Sequence, residues 1–137
     1  MTAQISIRHQ RLAVERSGVA RWMGASVNVP LEHVVAVGAV DPRTAQRWWI
    51  GVRLAGIQLP GLMTAGLFRH DGAVTWWDVR RGREAIAITL RDESLARLVV
   101  AVDDAHATIR LLERALGSGA KARRRGPGRR IQGRVIG

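Results

Sequence analysis

The chain has 137 residues and a mass of 15.0 kDa, which is the size of one domain with a short extension. Hydrophobic residues make up 47% of the chain and charged residues 24%, so the composition excludes a wholly disordered protein, a collagen-like repeat and a coiled-coil rod. The chain has no cysteine, which excludes disulfides, cysteine-based zinc sites, iron–sulfur clusters and thiol catalysis.

The net charge of +11 is concentrated at the C-terminal end. After Leu116 the chain has no acidic residue and seven basic ones: Lys121, Arg123, Arg124, Arg125, Arg129, Arg130 and Arg134. Such a block is typical of a solvated extension or of a segment that contacts a polyanion. Arginine far outnumbers the single lysine, and arginine codons are GC-rich. A GC-rich genome therefore accounts for part of this charge without selection for binding.

The first half of the chain predicts short strands joined by turns. Alternating or β-branched apolar runs indicate strands at 5–8, 12–15, 21–29, 34–40 and 48–54. The run at 34–40 is apolar throughout, which suits a buried strand. Asp41-Pro42-Arg43 and Pro60-Gly61 predict turns between strands.

The second half predicts four more strands and then a helix. The strands fall at 66–69, 74–79, 85–90 and 97–102, and Asp71-Gly72 favours a tight hairpin turn between the first two. Asp103 or Asp104 is suited to cap a helix at about 103–116. The apolar residues Ala105, Ile109, Leu112 and Leu116 form one stripe on that helix.

Gly117 is predicted to end the helix and, with it, a folded domain at 1–117. Residues 118–137 are rich in Arg and Gly and have no apolar stripe, which predicts a basic, disordered tail. The longest apolar run has seven residues, far fewer than the roughly 20 that span a bilayer. No targeting segment is recognised, so the predicted location is the cytoplasm, with peripheral contact at the inner face of the membrane left open.

Two adjacent tryptophan pairs are candidates for a binding surface. Neighbouring side chains on a strand point to opposite faces, so one Trp of each pair is expected to face outwards. With nearby arginines they would form an aromatic–basic surface of Trp48, Trp49, Trp76, Trp77, Arg47, Arg53, Arg69 and Arg80. The alternative is that curled sheets or neighbouring side chains cover both members of a pair.

Several segments together resemble small bacterial pleckstrin-homology-like proteins of GC-rich actinobacteria. They lie at 29–34, 56–61, 65–68, 77–79, 85–88 and 98–104 and include Gly56-Ile57-Gln58-Leu59-Pro60-Gly61. The resemblance implies a curled β-barrel or sandwich of about seven or eight short strands, capped by a C-terminal helix. Eukaryotic members often bind phosphoinositides through a Lys/Arg-rich motif on the first two strands, a region that here holds Arg8, Arg11, Arg16 and Arg21 and no lysine.

These observations favour a non-enzymatic binding or scaffold module that acts through contact with a protein or an anionic surface. His9, His33, His70 and His106 are too scattered to predict a metal site, and no motif predicts a cofactor or a catalytic residue. The expected partner is a protein of unknown identity, with an anionic membrane as a further candidate. Two alternatives stay open: non-specific nucleic-acid binding through the basic tail, and small-molecule binding or enzyme activity at the mouth of the barrel.

Overall fold

The computed structural model of the chain describes residues 4–15, 26–59 and 62–125, with the backbone alone at 47–49 and 118–125. These residues form nine strands: β1 (Gln4–Arg8), β2 (Arg11–Glu15), β3 (Val27–Pro30), β4 (Val34–Val40), β5 (Val52–Leu59), β6 (Met63–His70), β7 (Ala73–Arg80), β8 (Glu84–Leu90) and β9 (Arg97–Val102). A 3-10 helix at Leu31–His33 and two α-helices, α1 (Pro42–Trp49) and α2 (Ala105–Arg125), complete the fold. The prediction of a mainly β chain with a C-terminal helix is confirmed.

The strands form two separate sheets. The first sheet is antiparallel, with the order β1-β2-β3, and the second has six strands in the order β4-β8-β9-β7-β6-β5. All neighbours in the second sheet are antiparallel except β7 and β9, which run parallel between Thr75↔Arg97 and Asp78↔Val100. The prediction was a curled barrel or sandwich of about seven or eight strands. Over the described residues there are nine strands in two sheets, each sheet ends in two edge strands, and no closed barrel forms.

One face of the six-stranded sheet packs against the three-stranded sheet and α2. Trp76, Ile86 and Val100 are buried on this face. The three-stranded sheet covers them with Leu12, Val14, Val27 and Val29, and α2 adds Leu112 from the predicted stripe. Asp104 begins α2 by accepting the Ala107 N–H at 3.0 Å, which confirms the predicted cap.

The opposite face of the same sheet packs against α1. Phe68, Trp77 and Val99 are fully buried there, together with Ala45 of α1. The rings of Phe68 and Trp77 meet edge to face, with centroids 6.3 Å apart. The central strands β7, β8 and β9 are therefore buried on both faces, which explains why their sequences are nearly continuous apolar runs.

The predicted strand at 48–54 is wrong in its first half, because residues 42–49 form α1. The Asp41-Pro42 pair begins this helix instead of making a simple turn. The Asp41 carboxylate accepts the Arg43 N–H at 3.3 Å and the Thr44 hydroxyl at 2.9 Å. Pro42 occupies the first helical position, where a missing N–H costs nothing. The strand that follows starts only at Val52 and continues through Leu59, beyond the predicted end at residue 54.

The predicted helix at 103–116 is longer than expected and runs from Ala105 to Arg125. Gly117 does not end it, and its backbone is not in the left-handed conformation that glycine adopts where it ends a helix. Strong helix formers follow from Ala120 to Arg125, and basic residues near a helix C-terminus interact favourably with its dipole. Residues 118–125 of the predicted disordered tail are therefore helical, and residues 126–137 lie outside the described part.

The predicted buried strand at 34–40 is an edge strand. Its position at the end of the six-stranded sheet leaves Val35 57% exposed and Ala36 and Ala39 exposed as well. The prediction that this strand is buried is therefore wrong. Its apolar run does not show that the strand pairs with a neighbour on one side only.

The stripe on α2 predicts a large difference between two adjacent leucines. Leu112 is 1% exposed, whereas Leu111 is 47% exposed. Leu112→Ala is expected to lower the free energy of unfolding by about 2–5 kcal/mol because it leaves a cavity in the core. Leu111→Ala, the control, is expected to change it by less than about 1 kcal/mol. Urea unfolding of both variants measures the difference, and equal losses would contradict this packing of α2.

The pairing of β5 with β6 depends on a close approach at Gly66. Its φ is +154°, and a Cβ there would lie 2.1 Å from the Ala55 carbonyl oxygen. Gly66→Ala is therefore expected to destabilise the protein by more than about 1 kcal/mol. Gly38→Ala is the matched control, since a Cβ at Gly38 meets nothing within 4 Å. Thermal unfolding compares the two variants, and an unchanged melting temperature for Gly66→Ala would refute the close approach.

Candidate anion-binding pocket

A pocket of about 240 Å³ lies at one end of the six-stranded sheet, where three segments of the chain meet. These segments are the start of α1, the residues around the end of β5 and the start of β6, and the β7–β8 turn. Four arginines contribute to its lining, namely Arg43, Arg80, Arg81 and Arg83. Its other lining residues include Asp41, Gln46, Leu59, Leu62, Met63 and Thr64.

Backbone hydrogen bonds hold the walls of the pocket in place. The Arg81 N–H donates to the Leu62 carbonyl at 2.8 Å, which ties the β7–β8 turn to the β5–β6 connection. The Arg83 N–H donates to the Arg80 carbonyl at 3.2 Å and closes the β7–β8 turn. The arginines of this turn are therefore presented by a fixed backbone.

The acidic groups near the pocket leave two of the four arginines without an acidic partner. The Asp41 carboxylate caps α1, Asp78 lies 3.3 Å from Arg80, and Asp103 lies 3.4 Å from Arg83. Arg43 and Arg81 are exposed and make no salt bridge with any acidic residue in the described part of the chain. The pocket therefore offers two guanidinium groups, and guanidinium is the side chain best suited to bind phosphate or carboxylate in a bidentate manner.

Neutral polar groups line the inner side of the pocket. Thr64 is buried, and its hydroxyl donates to Gln46 Oε1 at 3.2 Å. Because this oxygen accepts from Thr64, the Gln46 amide nitrogen remains the donor end of the side chain. Hydrogen-bond donors therefore accompany the positive charge, as an anion requires.

A second, wider cavity of about 620 Å³ lies on the other side of the β7–β8 turn and shares Pro42, Gly82 and Arg83 with the pocket. Apolar residues such as Val40 and Ile109 line much of it. Glu84 also lines it and accepts the Ala105 N–H at 2.7 Å, next to the start of α2. This cavity has one arginine and is therefore less suited to an anion than the pocket.

Of the predicted aromatic–basic surface, the Trp76–Trp77 pair is not exposed. Trp76 and Trp77 are 1% and 0% exposed, because opposite faces of the sheet bury them both. For this pair the alternative is confirmed, namely that both tryptophans are covered. Arg53 and Arg69 are exposed on β5 and β6, whereas Arg80 lies at the pocket. The side chains of Arg47, Trp48 and Trp49 lie outside the described part.

The other predicted basic residues are spread over the chain. The backbone of Lys121, Arg123, Arg124 and Arg125 forms the last turns of α2, and Arg129, Arg130 and Arg134 lie outside the described residues. On the first two strands Arg8 and Arg11 are cross-strand neighbours, and Arg11 Nε donates to Asn28 Oδ1 at 2.6 Å. Arg16 and Arg21 lie outside the described residues.

The described residues bring no metal-binding cluster together, since nowhere among them do three or more His, Asp or Glu side chains converge. His33 contacts Glu93, with 2.5 Å between Nδ1 and Oε2, and His70 lies 3.3 Å from Asp71. Within the same residues, neither helix combines the length and the apolar character needed to cross a membrane.

Sequence reasoning missed most of the pocket. Arg43, Arg81, Arg83, Gln46 and Thr64 were not singled out, because they come from three separate segments that only the sheet brings together. One signal was available, namely that Arg80, Arg81 and Arg83 flank a turn.

Comparison of the chain with models of protein families, with curated proteins and with solved structures found no match in any of the three. The resemblance to pleckstrin-homology-like proteins therefore stays a prediction from the sequence.

The two salt bridges beside the pocket are expected to differ in their contribution to stability. Asp78 is fully buried and the Arg80 side chain is 15% exposed, and removing one partner of a buried pair costs about 3–5 kcal/mol. Asp78→Ala is therefore expected to be strongly destabilising. Asp103→Ala, which breaks the exposed pair with Arg83, is expected to cost about 1 kcal/mol or less. Denaturant unfolding distinguishes the two, and a mild effect of Asp78→Ala would contradict this assignment.

Proposed function

We propose that this protein is a non-enzymatic binding module that recognises a compact anionic group in the arginine-lined pocket. The observation that supports this most directly is the pair of exposed guanidiniums, Arg43 and Arg81, which no described acidic residue neutralises. A phosphate or carboxylate between them would gain charge-assisted hydrogen bonds from both sides. Gln46 would supply a neutral donor from the inner wall.

The size of the pocket limits the anion that it can hold. At about 240 Å³ it is smaller than the 300–1,000 Å³ that is usual for drug-sized ligands. It is suited to one or two phosphate or carboxylate groups, carried on a protein or on a lipid headgroup, with the rest of the carrier outside. Contact with a protein or with an anionic membrane surface would then use the same chemistry.

We also propose that the domain is pleckstrin-homology-like. The order of the elements supports this, because a series of short strands is followed by one C-terminal helix whose apolar stripe packs on the strands. The open six-stranded sheet, the parallel β7–β9 pair and the additional α1 are differences from the expected barrel. A cytoplasmic location, with peripheral contact at the inner face of the membrane, remains a prediction.

Pyrophosphate is a suitable probe of the pocket. Titration calorimetry of the full chain is expected to show binding that weakens at least tenfold in the double variant Arg43→Ala/Arg81→Ala. The control is Arg110→Ala/Arg114→Ala, which removes two exposed arginines of α2 that do not line the pocket and lowers the net charge equally. Unchanged affinity in the pocket variant, or an equal loss in both variants, would contradict the proposal.

Non-specific nucleic-acid binding is a second candidate, favoured by the extension of α2 to Arg125, which places four basic residues on its last turns. If all seven basic residues after Leu116 contact phosphates, the logarithm of the affinity for duplex DNA should fall with the logarithm of salt concentration at a slope of about −6. Fluorescence anisotropy measures this slope. A full-length chain with these seven residues changed to Gln is expected to lose binding, and its retention would exclude this candidate.

A further inference from the structure

The outer edge of β5 carries unpaired backbone groups along eight residues. β5 pairs with β6 on one side only, from Val52↔Arg69 to Leu59↔Met63. No strand in the described part of the chain pairs with its other side. Such an edge is a template onto which another extended segment can add by backbone hydrogen bonding.

Most of this edge lacks the charged residues and prolines that usually prevent pairing. Exposed edges are commonly protected by charged residues, proline or short length, whereas 54–59 contains no charged residue and no proline. Val52 is 68% exposed, Leu54 45% and Leu59 44%, so the strand also offers apolar side chains to a partner. A bulge between Arg53 and Ala55 interrupts the register only near its start.

Two of the other three edges in the described part of the fold are less available. β4, at the far edge of the same sheet, is contacted by α2. In the three-stranded sheet, β3 has four residues and ends in Pro30. Because α2 lies against β4, the open edge of β5 is remote from the C-terminal helix.

The charge around β5 indicates what kind of segment would bind. Between Asp41 and Asp71 the chain has no acidic residue and four arginines, namely Arg43, Arg47, Arg53 and Arg69. Arg53 is exposed near the start of β5, and Leu59, at its end, lines the pocket that holds Arg43 and Arg81. A second copy of this chain would bring the same arginines to the edge, whereas an acidic segment would neutralise them.

We propose that β5 binds an extended segment of a partner protein as an added strand, with apolar residues in its centre and acidic residues at its ends. Six residue steps of about 3.3 Å separate Arg53 from Leu59, or about 20 Å. A segment of about nine residues therefore reaches Arg53 with one end and the pocket with the other. The pocket contact rests on the proposed function, whereas the strand addition rests on the edge alone.

A labelled peptide, Glu-Glu-Val-Thr-Val-Thr-Val-Glu-Glu, serves as the probe. Fluorescence anisotropy with the full chain is expected to show binding at least tenfold tighter than for the same peptide with its central Val replaced by Pro. The proline peptide has the same charge but cannot complete the hydrogen-bond ladder. Equal affinities for the two peptides would overturn the proposal, because charge alone would then explain binding.

Hydrogen–deuterium exchange identifies the edge that is used. The probe peptide is expected to slow exchange of the amides in β5 and to leave those of β4 and β1 unchanged. Protection at β4 or β1 in place of β5 would overturn the proposal. So would a dimer at micromolar concentration whose β5 amides are already protected without peptide, because a second copy would then be the occupant.

The variant Arg43→Ala/Arg81→Ala separates this inference from the proposed function. This variant is expected to bind the probe peptide about tenfold more weakly, while saturating peptide still slows exchange of the β5 amides. That result supports both the anion pocket and the added strand. If pyrophosphate binds but the peptide never protects β5, the added strand is excluded and the anion pocket stands. If the peptide protects β5 and the variant binds pyrophosphate and peptide unchanged, the strand addition stands and the pocket is excluded.

Discussion

The burial of two adjacent tryptophans on opposite faces of one strand is the constraint on which the rest of the fold depends. Trp76 and Trp77 are both less than 2% exposed, so the six-stranded sheet must be covered on both sides. The three-stranded sheet and α2 cover the Trp76 face, and α1 covers the Trp77 face. The two indoles bury more apolar surface than any other side chains of the core, so a fold that exposed either one would lose a large hydrophobic contribution.

The position of α1 on the Trp77 face also creates the pocket. Asp41 follows directly after β4 and caps α1, so the helix begins at the end of the sheet where β7 ends and β8 begins. In this cap the Asp41 carboxylate accepts from the Arg43 backbone N–H and the Thr44 hydroxyl and forms no salt bridge with the Arg43 guanidinium. Asp78 and Asp103 form salt bridges with Arg80 and Arg83. Arg43 and Arg81 are therefore left without a salt bridge among the described residues. Local folding requirements and the proposed binding chemistry are thus linked through the same few carboxylates.

The sequence was sufficient for elements whose signal is local. The apolar run of β8, the Asp71-Gly72 turn, and the Asp104 cap with its apolar stripe all predicted their structures, because each depends on neighbours in the chain. Asp41-Pro42 suits both a turn and a helix start, and only the need to cover the Trp77 face decides between them. The exposure of β4 and the position of Gly117 within a helix likewise depend on partners distant in the sequence. For the same reason the pocket was not predicted, since three separate segments contribute its lining residues.

The pocket and the open edge of β5 are adjacent, because Leu59, the last residue of β5, also lines the pocket. The proposed anion site and the proposed strand addition can therefore serve a single partner. A crystal structure of the full chain with pyrophosphate tests the central claim most directly. It is expected to show the anion between Arg43 and Arg81, with α1 packed on Trp77. An anion bound only by the basic residues after Leu116, or an α1 that leaves Trp77 uncovered, would contradict it.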